Sequence, residues 1–335
     1  MTAPKGYQGL LEVHGTLDVA QFWPTGESDA DTSHVVVAVD GFRFRPNAHT
    51  PFKATHVFDT AHVRGTGSNP AVKNGAVTVR WQGIDAPELH YRPRFPKKLA
   101  EPERAAFNQQ NGNFRQCYGE SATVALSTFL QTENDNPLPV IVRTSVDAPG
   151  DVFDTYGRLI GDIIVKKSGK EVNVNQWLVE KGWAFPTYYD SMSATEIERL
   201  DKLATRAKED RLGIWNDATE DAGHFDPTLK FRSHGALEPD SGSVIMPKVF
   251  RRFSTYSVAE AAHVVNETFP AYLKAEPDRC HKTSEFLTDG AKAVQRRLDQ
   301  FVQPNAHLTF WPQDLVFEES PSELLDAKGH KITTF

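Results

Sequence analysis

The sequence predicts a mostly β, α+β chain in two parts. Three observations carry this. Residues 11–90 hold five short runs rich in Val, Thr and aromatic residues, clear helical spacing begins only near residue 120, and residues 218–243 turn to Asp, Gly, Pro, His and Ser. The domains expected are therefore residues 1–217, a linker at 218–243, and a small α+β domain of unknown role at 244–335.

The runs LEVHGTLDVAQFW, HVVVAV, FRFR, FKATHVF and AVTVRWQGI are separated by Gly, Pro, Asn and Asp, which is how strands and turns alternate. Residues 92–116, with Pro93, Pro96, Pro102 and the NQQNGN tract, read as an exposed loop. Ala122, Ala125, Leu126 and Phe129 predict a helix over 120–130, followed by the strands LPVIVRTSV and RLIGDIIVKK. VNVNQWLVEKGWA reads as a short helix with Asn175 at its start and Gly182 as the left-handed residue after its end. Ser193 and Glu196 form a capping-box pattern before a helix whose apolar face is Ile197, Leu200, Ala204 and Ala207. Beyond the linker, SVAEAAHVVNETF and residues 284–302 read as helices, the second with a stripe from Phe286 to Phe301. LTFW and LVFEE read as a strand pair.

With 39% hydrophobic and 24% charged residues the composition is that of a soluble globular protein. No apolar run reaches bilayer-crossing length. MTAPKGYQGLLEVHG lacks the plan of a secretory signal, so the expectation is a cytoplasmic location, with secretion by another route left open. Cys117 and Cys280 have no metal-ligand spacing, which argues against a disulfide framework or structural zinc. The histidines at 34, 49, 56, 62 and 90 offer no helical pair for a metal. A net charge of −7 means that any nucleic-acid site must be a local basic patch.

The stretch VTVRWQGIDAPELHYRPR, residues 77–94, puts Arg80, Asp85 and Glu88 at one strand end. Pro87 fixes its own φ and biases Ala86 toward extended geometry, so the turn holds both carboxylates on one side. Two carboxylates and a guanidinium suit metal-assisted phosphate chemistry; an ordinary surface turn is the competing reading. Tyr156-Gly157-Arg158 offers a second Arg at a strand start, alternatively a hairpin Arg paired with Asp154. Arg92, Arg94, Lys97 and Lys98, interleaved with Tyr91 and Phe95, form a basic loop that either tracks a phosphate backbone or is simply solvated.

These blocks, in order R-x-x-G-I-D-A-P-E, Tyr118-Gly119-Glu120, Tyr156-Gly157-Arg158, V-N-x-x-L-V-x-x-G-x-A from Val174 and L-G-I-W from Leu212, resemble the staphylococcal nuclease family over roughly residues 11–217. The resemblance implies a five-stranded OB-type β-barrel with three helices and a calcium-dependent endonuclease acting on DNA, RNA or both, with 3′-phosphate products. Arg80 and Arg158 resemble its catalytic arginines, Glu88 its proposed general base, and Asp85 with the Ala86 carbonyl its Ca2+ ligands. Tyr188 resembles an aromatic of the nucleotide pocket, a core aromatic being the other reading. The second metal aspartate is expected at Asp31, within Asp29-Ala30-Asp31-Thr32, making residues 40–75 an insertion. Asp59 is the alternative, making residues 1–50 an extension. The competing function is an inactive nucleic-acid-binding or scaffolding module. A further reading gives the C-terminal stripe a protein partner, against its use as a core. No membrane partner is expected.

Overall fold

Strict alternation in Ala76–Trp81 sends Val77, Val79 and Trp81 inward and leaves Ala76, Thr78 and Arg80 facing out. The same period governs its neighbours, and the pairings close on themselves in a computed structural model. Leu10–Leu17 pairs antiparallel with Leu138–Ser145, which pairs antiparallel with Leu159–Lys167. That strand runs parallel to Ala76–Trp81, which pairs antiparallel with Thr32–Arg45. Thr32–Arg45 returns to Leu10–Leu17, completing a ring of five strands. Leu11, Val13, Leu17, Val35, Val79, Trp81, Val142, Leu159 and Ile163 are buried. Each such side chain contributes about 1.5–3 kcal/mol relative to exposure. The structure describes residues 7–64, 69–94, 100–131, 136–219, 243–276, 278–303, 306–319 and 322–335.

HVVVAV and FRFR are one strand, Thr32–Arg45, not two. The register slips from Val13↔Phe42 to Gly15↔Val37, and the extra residues bulge out through Asp40 at φ 50°. Of FKATHVF only Lys53–Ala54 is strand, while Phe58 is fully buried.

The described residues up to 219 hold four α-helices rather than three: Glu101–Gln110, Gly119–Leu130, Val174–Glu180 and Ala194–Glu209. The first occupies part of the stretch expected to be a loop. Pro102 suits its first turn, and Phe107 alone is buried along it, so no apolar stripe announces it in sequence. Ser193 caps the fourth helix in a capping box with Glu196, as expected. The third is capped by Asn173, whose side chain accepts from Gln176 N. Asn175 instead points inward, accepting from Ile163 N and donating to Gln82 O. Gly182 sits at φ 70° after that helix, as expected.

Beyond residue 242 a helix spans Pro247–Ala261, ten residues upstream of the one expected, and ends before His263 at φ 58°. The stripe over 284–302 is not one helix. Thr283–Asp289 stops at Gly290, φ 59°, and Val294 turns to solvent at 60% exposure. LTFW forms no strand: Leu308 makes a single bridge to Val302. Leu315–Phe317 pairs instead with Arg279–Lys282 and, in parallel, with Tyr188–Tyr189. Leu324–Leu325 pairs with His62–Val63, and the Phe335 ring stacks on Phe44 at 3.7 Å. The linker expected at 218–243 lies almost wholly outside the described residues. Among the described residues no helix is long and apolar enough to cross a membrane.

One surface cleft, about 390 Å³, is lined by Arg143, Asp162, Glu171, Asn173 and Arg199. Burial pushes the Asp162 carboxyl up to about 7 against the hydrogen bond from Asn173 Nδ2 at 2.7 Å. A carboxyl raised in the fold binds more protons folded than unfolded, so its contribution falls as pH rises from about 4 to about 7. Asp162→Asn should therefore flatten the stability–pH curve across that window and gain about 2 kcal/mol at pH 8, allowing for solvent in the cleft. Denaturant melts at pH 5 and pH 8 check this; parallel wild-type and variant curves would refute it.

Candidate active site

Gly83, at φ 74°, turns the chain out of the Ala76–Trp81 strand and into Ile84–Asp85, which pairs with Phe185–Pro186. The Asp-Ala-Pro-Glu turn is then held from three directions. Asp31 Oδ2 accepts from Ala86 N at 3.1 Å and Asp29 Oδ1 from Leu89 N at 2.8 Å. Gln116 brackets Glu88, its Oε1 accepting from Glu88 N at 3.1 Å and its own N donating to Glu88 O at 2.8 Å. Gly119 lets the helix behind it come this close, since a Cβ there would stand 2.5 Å from Glu88 O.

Asp31 is fixed at the start of its strand by Trp81 N, which donates to the Asp31 carbonyl. Asp31, Asp85 and Glu88 therefore share one pocket of negative potential. Burial, then Asp85 and Asp29, push Asp31 up to about 6, and burial pushes Glu88 up against the pull of Arg251. Asp59 lies elsewhere, exposed beside His56.

Arg251 is the residue that the sequence did not announce. It projects from Pro247–Ala261 and closes a fork on Asp85, Nη1 to Oδ1 at 3.0 Å and Nη2 to Oδ2 at 3.1 Å. Its Nη1 also bonds Glu88 Oε1. Both carboxylates are nearly closed to water, Asp85 at 2% and Glu88 at 8% exposure. The helix is anchored by buried Val249, Phe250 and Ala259, by Gln116 Nε2 donating to Ile245 O at 2.7 Å, and by a Tyr91–Thr255 hydroxyl pair at 2.9 Å.

The expected arginines are both occupied. Arg80 donates to the Tyr189 hydroxyl and lies over that ring, 4.6 Å from its centroid, while feeling the charges of Asp85 and Asp154. Arg158 is clamped on Asp154, Nε at 2.8 Å and Nη2 at 2.7 Å, so the hairpin-pair reading of this residue describes its contacts. Asp154 also accepts from the backbone of Tyr156 and Arg158. Tyr156, 58% exposed, has two guanidinium groups over its ring, Arg94 at 5.6 Å and Arg158 at 5.5 Å from its centroid. Tyr188 is fully buried in the core; Tyr189 is the tyrosine that meets the site. Arg92 and Arg94 line a cleft of about 530 Å³ with Asp29, Glu88, His90 and Tyr91. Lys97 and Lys98 lie outside the described residues.

Calcium takes six to eight oxygens at short range. The arrangement here does not fit it: both Asp85 oxygens and one of Glu88 face a guanidinium. Among the described residues no group of three or more His, Cys, Asp and Glu is placed to hold a metal ion.

Residues 78–217 match the staphylococcal nuclease homologue family. The nuclease-homologue segment thus carries Arg80, Asp85, Glu88 and Arg158, while Asp29, Asp31 and Arg251 come from outside it. The family includes nucleases. No curated protein matches the chain.

Proposed function

We propose that the chain is a nucleic-acid phosphodiesterase, acting on DNA, RNA or both, and that its five-stranded ring is an OB-type barrel. The observation that carries this is the cleft lined by Glu88, Arg92 and Arg94, with Glu88 in the field of Asp31 and Asp85. A phosphate backbone entering there meets Arg92 and Arg94 first. Glu88, on the cleft wall, takes the proton of the attacking water. Arg80 and Arg158 are the donors for charge building on the phosphoryl oxygens, with Arg158 released from Asp154 on contact. Arg251 keeps the paired carboxylates from repelling the substrate. Calcium takes no step, because both oxygens of the expected ligand Asp85 face Arg251.

A second reading, a binding module without catalysis, is favoured by one observation: Arg251 saturates Asp85 and contacts the base. Labelled single-stranded DNA and RNA, incubated with wild type and Arg80→Ala in calcium and in chelator, separate the two. Cleavage slowed on the order of 10²-fold by Arg80→Ala is expected. Binding without cleavage under every condition would replace the enzyme by the module.

A further inference from the structure

We infer that the Arg251 guanidinium is the resident cation of the Asp85–Glu88 pair, and that the folded wild-type chain takes no divalent metal ion there. Three features lead to this. The first is geometry: a planar fork matches the Asp85 carboxylate oxygen for nitrogen, at 3.0 and 3.1 Å, and the same Nη1 reaches Glu88. The second is electrostatic. A guanidinium stays charged at any working pH, so Arg251 sets a fixed positive charge against both carboxylates and cannot leave as a neutral group. Its field also reaches Asp31, the third carboxylate of the cluster.

The third feature is anchorage. Arg251 does not hang on a loose tail. Its helix is sealed by buried Ile245, Val249, Phe250 and Ala259, and Phe250 meets the Tyr91 ring edge-on. The next residue, Arg252, pairs with Asp278 at 2.7 Å and with Glu276 at 2.7 Å. Lys248, one turn earlier, lies 4.5 Å from the Phe317 ring centroid, and Phe317 packs on Tyr189, the partner of Arg80. An ion seeking Asp85 must therefore displace a charge held by the fold itself. A monovalent, delocalised guanidinium offsets one of the pair's two charges without acting as a Lewis acid, so chemistry at this cluster runs on fixed charge.

The inference concerns ion occupancy and is read without cleavage, so it stands or falls separately from the proposed function. Calcium is titrated calorimetrically into the full chain, and thermal melts are recorded with and without it. Wild type should show no saturable binding and no shift in Tm up to about 10 mM calcium, well above the weakest protein sites. Arg251→Ala should bind one calcium and gain Tm on its addition. Should Arg251→Ala fail to fold even in calcium, Arg251→Gln, which keeps a donor toward Asp85 but no charge, takes its place. One calcium bound by wild type and lost in Asp85→Asn would overturn the inference. So would a folded charge-removed variant that binds none.

Discussion

Arg251→Ala, measured without divalent ions, should lower the unfolding free energy by about 3–5 kcal/mol, the cost of stripping one partner from a buried ion pair. The physical reason is not the loss of the pair's own attraction, which desolvation largely offsets. It is that Asp85 and Glu88, at 2% and 8% exposure, are left charged with Asp31 and Asp29 beside them. Glu88, already pushed up by burial, loses the pull of Arg251, so the variant's deficit should grow with pH: a carboxyl raised in the fold keeps its stability at low pH and loses it as pH rises. A triple variant, Arg251→Met with Asp85→Asn and Glu88→Gln, should recover most of the loss, because neutral groups of similar volume carry no such penalty. Urea midpoints of the three chains decide it. A single variant as stable as wild type would mean that Arg251 swings freely into solvent.

How much of this was legible depended on sequence distance. The Arg80–Glu88 block could be read because one strand and one proline turn fix its charges, and its alternation appears in the structure as Trp81 inward and Arg80 outward. Ser193 with Glu196, and Gly182, were legible because capping and left-handed turns are local. Asn173 and Asn175 are both amides at a helix start, and only the strand partners Ile163 and Gln82 decide which caps and which crosses to the strand.

Arg251 had no such signal. It lies 163 residues from Glu88, in a run, PKVFRRF, whose charges look like an exposed helix face. Its role exists only because the C-terminal strand Leu315–Phe317 pairs with Tyr188–Tyr189 and Gln116 holds Ile245. The apolar stripe from Phe286 to Phe301 misled for the converse reason. Helical spacing was present, but Gly290 breaks the run, and Phe286, Leu298 and Phe301 are buried from separate short turns.

Glu88→Gln should reduce cleavage by about 10²–10⁴-fold, the usual range for losing a positioned general base. The substitution keeps the shape and an oxygen for Arg251, and Gln116 still brackets the backbone, so the fold should persist. The diagnostic is a change of opposite sign in binding. Glu88 and Asp29 face the same cleft as Arg92 and Arg94, and their charge opposes the phosphate backbone those arginines attract. Replacing one carboxylate by an amide leaves Arg251 with one counter-charge fewer and makes the cleft more positive. Glu88→Gln should therefore bind single-stranded DNA more tightly than wild type at low salt, with a steeper salt dependence, while cleaving it far more slowly. A residue that only supports the turn would weaken both together. Equal cleavage by the two chains would remove Glu88 from the chemistry, because no amide at that position can take a proton from water.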